Sequence, residues 1–216
     1  MIAYATLSTG RSTERMYAAG WGVFLTPEAY AKNRPQFISC LSWEPPMPYA
    51  IDNGAWSAYL REEPWDERPW KALLVDFGGN ADFVVVPDIV AGGLESLGRS
   101  KSYLPLVHEH SELALIPVQD GMQESDLRPL IGPRVGIFVG GTTEFKEKTL
   151  AQWSALCREV GAWCHVGRVN SVRRTFLCSN AQVDSIDGTS VVRFSKTLGK
   201  LDAARRQMTM MGEMDV

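Results

Sequence analysis

Val135 to Arg168 reads VGIFVGGTTEFKEKTLAQWSALCREVGAWCHVGR, and this stretch decides the fold. A short apolar run, Val135 to Val139, ends at a Gly-Gly turn. A segment rich in Glu, Lys, Leu and Ala follows over Glu144 to Glu159, and a second apolar run spans Trp163 to Gly167. Short β-branched or aromatic runs bounded by turn residues read as buried strands, and a helix-length segment between two of them implies a parallel crossover. Working outward, six more runs repeat the pattern: Ile2 to Leu7, Gly22 to Leu25, Tyr49 to Asp52, Phe83 to Pro87, Leu113 to Val118 and Val183 to Asp187. Leu94 to Glu109 is another separator of helical length. Eight units average about 27 residues each, the low end for a closed barrel, with an open doubly wound sheet as the rival. The second run is weak, and Cys40 to Pro48 reads as a proline-rich loop instead of a helix. The expectation is α/β: a compact single-domain (β/α)8 TIM-type barrel over 1–207, with the Met-rich 208–216 as a C-terminal tail.

Composition bounds the function. The 216 residues are 45% hydrophobic, enough for one buried core and too few to require two domains. No run approaches a membrane span, and MIAYATLSTG lacks the layout of a signal peptide, so a cytoplasmic protein without membrane contact is expected. Cys40, Cys157, Cys164 and Cys178 form no CxxC pair, which points to reduced thiols and away from a cysteine-rich zinc site. No Walker A loop or dinucleotide fingerprint is present, and no cofactor or metal is expected. His108-Glu109-His110 reads as a surface pair, because i, i+2 side chains do not share a helix face. Net charge is −3, yet His165 to Gln207 carries eight basic against three acidic residues. A basic fifth on an acidic body suits a polyanion contacting one side, with solvated surface charge as the alternative.

In a parallel barrel the reacting groups come from the C-terminal ends of the strands. Those ends carry Asp52-Asn53-Gly54, Pro87-Asp88, Gln119-Asp120-Gly121, Gly140-Gly141-Thr142, Gly167-Arg168 and Asp184-Ser185-Ile186-Asp187. A single Asp at such a place is ordinarily a helix cap or turn residue. Several on one mouth would repel, so at least one is expected to be protonated or bound to a donor-rich ligand. A guanine-like edge offers donors to a carboxylate, while a glutamine amide and Gly-Gly backbone N–H groups offer donors to its carbonyl; Asp88, Gln119, Gly140 and Gly141 are therefore a candidate purine-edge reader.

These segments resemble the tRNA-guanine transglycosylase superfamily, and more closely its short phage-type members that insert 7-deazaguanines into DNA. Ile51-Asp52-Asn53-Gly54-Ala55-Trp56 is similar to the family's Asp-Ser-Gly-Gly-aromatic segment, Val118-Gln119-Asp120-Gly121 to its Val-Gln-Gly-Gly, Val139-Gly140-Gly141 to its Gly-Gly turn, and Val183-Asp184-Ser185-Ile186-Asp187 to its Val-Asp-x-x-Asp. Phe138 to Lys146, His165 to Ser171 and Asp184 to Thr189 carry the phage-type character, and the likeness runs through about two thirds of the chain. It implies a base exchange at an N-glycosidic bond, with Asp187 as nucleophile and Asp52 as general acid/base. Asp88, Gln119, Gly140 and Gly141 would read the base, and Trp56 and Val166 would cover its two faces.

The implied substrates are DNA, with tRNA second, and a free preQ0-like 7-deazaguanine. The tRNA enzymes carry a zinc site of three cysteines and a histidine after the nucleophile strand, and no Cys or His follows Asp187 here, which is what favours DNA. Arg168, Arg173, Arg174, Lys196 and Lys200 are candidate phosphate contacts on the rim, with Arg173 and Arg174 also readable as plain helix-surface charges. The alternatives left open are a tRNA exchanger, an N-glycoside hydrolase and a nucleic-acid-binding barrel without catalysis.

Overall fold

The computed structural model describes residues 1–194 and 196–212. Eight parallel strands close into one ring in sequence order: β1 (Ile2–Thr6), β2 (Gly22–Leu25), β3 (Tyr49–Ile51), β4 (Val84–Val85), β5 (Ala114–Val118), β6 (Val135–Val139), β7 (Cys164–Val166) and β8 (Ser185–Asp187). The last strand returns to the first, with Ile2 opposite Ser185 and Tyr4 opposite Asp187. The helices between them are α1 (Arg11–Ala18), α2 (Pro27–Leu41), α3 (Ala55–Leu60), α4 (Glu67–Phe77), α5 (Gly93–His110), α6 (Glu124–Leu127), α7 (Thr143–Val160), α8 (Val172–Asn180), α9 (Ser190–Arg193) and α10 (Thr197–Gly212). The chain is a single-domain (β/α)8 barrel. Residues 208–212 of the expected tail continue α10, and 213–216 lie outside the described residues.

Strand side chains alternate between the barrel interior and the layer beneath the helices, so the residues sort by parity. Tyr4, Phe24, Ala50, Phe83, Val85 and Leu115 form the inner cluster, with Phe138 and Trp163 packed on it. Ala3, Val23, Ile51, Val84, Ile116, Ile137, Cys164, Val166 and Ile186 belong to the larger cluster outside the ring. Two glycines permit close approach inside the barrel: a Cβ at Gly22 would lie 2.7 Å from the Tyr4 ring, and one at Gly136 would lie 2.4 Å from the Trp163 carbonyl oxygen of the neighbouring strand run. No helix among the described residues is long and apolar enough to cross a membrane. The four cysteines are free and buried.

Candidate active site

Parity also decides what reaches the mouth. The residue after outward-facing Ile51 is Asp52, and its N–H pairs with the Leu25 carbonyl, continuing the β3 ladder to the rim. Asn53 then ties two strand ends together. Its amide nitrogen donates to Val86 O at 2.8 Å and to Asp88 Oδ1 at 2.9 Å, while its Oδ1 accepts the Ala55 N–H that opens α3. Gly54, at φ 77°, makes the sharp turn between them, a conformation that favours glycine. Burial pushes the Asp52 carboxyl up to about 7, helped by the charges of Asp187 and Asp88 and opposed by backbone N–H groups of Asn53 and Gly54. Burial likewise raises Asp88 to about 6, against the Asn53 amide and the Arg99 charge. A carboxyl titrating near neutrality is poised to give and take a proton.

Asp187 ends β8 with its side chain inside the ring, directly across the first strand pair from Tyr4. Its Oδ1 lies 3.0 Å from His165 Nε2 and accepts from the Arg168 backbone N–H at 3.3 Å. Arg168, two residues past β7, adopts φ 61°, the left-handed region that a residue other than glycine rarely occupies. From there its guanidinium bonds to Gly141 O and lies 4.2 Å over the Trp56 ring. Asp52, Asp187, Trp56 and Arg168 are thus brought to one mouth.

Three expected roles change. Val166 is 3% exposed and faces outward between α7 and α8, beside Leu150, Leu177 and Lys146, because it alternates with inward-facing His165; it cannot cover a base at the mouth. The Gln119 amide nitrogen already donates to Ile89 O at 3.0 Å and Ser96 Oγ at 2.8 Å, so the side chain keeps its carbonyl oxygen, an acceptor, for a ligand. The Gly140 N–H bonds to Val118 O at 2.9 Å as the strand ladder continues, leaving Gly141 as the donor of that turn. Asp120 holds the turn from below by accepting the N–H and hydroxyl of Thr142.

The basic residues divide. Arg173 and Arg174 both reach Glu147, at 2.7 and 3.4 Å, on the α7–α8 side of the rim. Lys196 and Lys200 are exposed, near and in the first turn of α10. Lys146, lowered to about 8 by burial and the Arg168 charge, donates to Gly167 O at 2.7 Å in the outer layer, so it does not present an amine to the barrel interior. Among the described residues no cluster of three or more His, Cys, Asp or Glu could hold a metal ion. His165, Asn53 and Ser185 carry much of the site's geometry without having been singled out by residue type; their position one strand step from a rim residue is the signal that identifies them.

No family model and no curated protein matches the chain. Solved structures do. A protein assigned as a fructose-1,6-biphosphate aldolase from Coccidioides immitis aligns over 97% of this chain and 88% of its own, at 10% identity and a TM-score of 0.61. A native KDPGal structure aligns over 97% and 95%, at 10% identity and a TM-score of 0.59. Tryptophan synthase from M. tuberculosis, an open form with BRD0059 bound, aligns over 96% and 90%, at 13% identity and a TM-score of 0.55. Likeness at this identity establishes the barrel, a fold that hosts many chemistries, and leaves the reaction to be argued from the site.

Proposed function

We propose that the chain is an enzyme, a base-exchange transglycosylase that replaces guanine in DNA with a preQ0-like 7-deazaguanine. The observation that carries this reading is the pairing of two unlike carboxylates in one mouth: Asp52 raised to about 7, and Asp187 held by an imidazole and a backbone N–H. A carboxyl raised toward neutrality beside a second carboxyl held by hydrogen bonds suits a division of labour between acid and nucleophile. In the first step an Asp187 oxygen bonds to the sugar C1′ while the bond from C1′ to the base breaks, its electron pair leaving with the guanine and the Asp52 proton neutralising it. In the second, Asp52 takes the proton of the incoming base, whose nitrogen re-forms the bond to C1′ and expels Asp187. Asp88 and the Gln119 carbonyl are acceptors suited to the donor edge of a guanine, and the Gly141 N–H suits its carbonyl.

Trp56 is 39% exposed and supplies one stacking face. Arg168 lies over that face; in this reading it turns to a flanking phosphate and the base takes its place. Tyr59, also exposed, stacks on Trp56 at 5.7 Å and would extend that aromatic surface for an unstacked base.

Incubating the protein with guanine-labelled DNA or tRNA, with and without added preQ0, tests the reading. Release from DNA only when the base is added is the expected result. Release from tRNA alone would change the polymer, and release without added base would make the protein a hydrolase. No release from either polymer, with Asp187→Ala binding nucleic acid like the wild type, would overturn catalysis altogether.

A further inference from the structure

Inside the ring, beneath Asp187, lies a continuous chain of buried polar groups. Trp163 Nε1 is 2.8 Å from Ser185 Oγ, Ser185 Oγ is 2.8 Å from His165 Nδ1, and His165 Nε2 is 3.0 Å from Asp187 Oδ1. His165 and Ser185 are fully buried. All four members arise from parity: Trp163 and His165 are alternate residues of the seventh strand run, and Ser185 and Asp187 alternate residues of β8, with His165 opposite Ser185 in the ladder.

The direction of the chain follows from donor and acceptor capacity. An indole N–H only donates, so Ser185 Oγ accepts from Trp163. If His165 Nδ1 carried a hydrogen, the serine oxygen would accept twice, and its own hydroxyl hydrogen would be buried with no acceptor among the described residues. A ring protonated only at Nδ1 would also set the bare Nε2 lone pair against the Asp187 oxygen. Leaving a buried donor unmade costs about 1–3 kcal/mol. One arrangement satisfies every group: Trp163 donates to Ser185, Ser185 donates to Nδ1, and Nε2–H donates to Asp187. Phe138 and Phe24 stack on the ring at 4.9 and 5.6 Å and Phe83 packs at 5.0 Å, which fixes its plane. Gly167 keeps the space clear, since a Cβ there would lie 2.5 Å from the Phe138 ring and 3.4 Å from Asp187 Oδ1.

We propose that His165 is the positioning residue of Asp187, set in its Nε2–H form by the Trp163–Ser185 pair, and that it assigns the two carboxylate oxygens different tasks. Oδ1 takes both protein donors, from His165 and from the Arg168 backbone, and is held. Oδ2 has no protein donor among the described residues and is the oxygen that forms the bond to C1′. This assignment of oxygens rests on the base-exchange reading; the tautomer and the hydrogen-bond chain do not.

Two measurements test it. Nitrogen-15 NMR of histidine-labelled protein at pH 7 reads the tautomer directly: Nδ1 bare and Nε2 protonated in the wild type is expected, with Ser185→Ala losing that signature and Ser185→Thr keeping it. Exchange kinetics read the positioning. His165→Phe, which keeps the ring volume and removes the donor, should lower kcat about 10²-fold with KM for DNA nearly unchanged, the size expected for a misplaced reacting group. Ser185→Ala should lose about tenfold, and Ser185→Thr should restore it. A protonated Nδ1 in the wild type, or wild-type kcat in folded His165→Phe and Ser185→Ala, would overturn the proposal. If the wild type exchanges no base, the function fails while the NMR result still decides the chain of hydrogen bonds. If His165→Phe does not fold, the Ser185 pair supplies the kinetic answer.

Discussion

At the scale of single residues, the proposed acid/base role of Asp52 and its effect on stability are expected to oppose each other. A carboxyl whose folded pKa is raised to about 7 favours the fold fully below its ordinary value near 4, and that contribution is lost as pH rises through 7. Asp52→Asn removes the titration while its side-chain oxygen can still accept the Asn53 and Gly54 N–H groups. We expect the variant to lose about 10²- to 10⁴-fold in exchange. Relative to wild type it should gain stability on going from pH 4 to pH 8, by at most about 4 kcal/mol. Thermal melts of both proteins across that range check the sign; parallel curves would reject it. The identity of such a residue is readable in a sequence, because a carboxylate closing an apolar run has few packing explanations. Its direction is less so: Val166 and His165 are adjacent, and only the parity of the whole strand tells which one enters the barrel.

At the scale of elements, the strands were legible because a parallel strand covered on both faces is apolar throughout, as in the quoted run Val135 to Val139, which is β6 itself. Even β4, only two residues long by hydrogen bonding, sits within the apolar run Phe83 to Pro87. Helix α2 was harder to read, since Pro35 lies inside it and Asn33 breaks the helical geometry, so its two halves lack one continuous stripe. Short α3 is set by the Ala55 N–H bond to Asn53 Oδ1 and the Gly54 turn, an arrangement that local propensity does not show. The same close packing predicts a sensitive position in β6. Gly136→Ala would put a methyl 2.4 Å from the Trp163 carbonyl oxygen and 2.6 Å from Leu115, and backbone cannot withdraw cheaply. A loss of about 2 kcal/mol or more is expected in chemical denaturation; an unchanged midpoint would show that β6 and β7 can part.

At the scale of the whole molecule, the net positive charge of the C-terminal fifth proves to be shared between two ends of the barrel. Arg205 and Arg206 bond to Asp202 and to the Ala19 carbonyl, on the side where helices feed into strands, whereas Arg168 lies at the mouth. Composition could show the excess but not its division. If the mouth grips a nucleic-acid backbone, Arg168→Ala should weaken DNA binding and reduce the slope of log affinity against log salt by about 1, while Arg206→Ala leaves the slope unaltered. Equal slopes in all three proteins would remove Arg168 from the phosphate contacts.

The ring closes by joining the first strand to the last, and the residue placed opposite Tyr4 in that joint is Asp187. On the base-exchange reading, a chain emerging from the ribosome would lay down Asp52 and Asp88 early and gain its proposed nucleophile only when β8 is made and docks beside β1. Closing the ring would then complete the site. On the base-exchange reading a half-made or open barrel would lack the Asp187 oxygen held by His165 and Arg168, so the topology would delay exchange until the ring is whole.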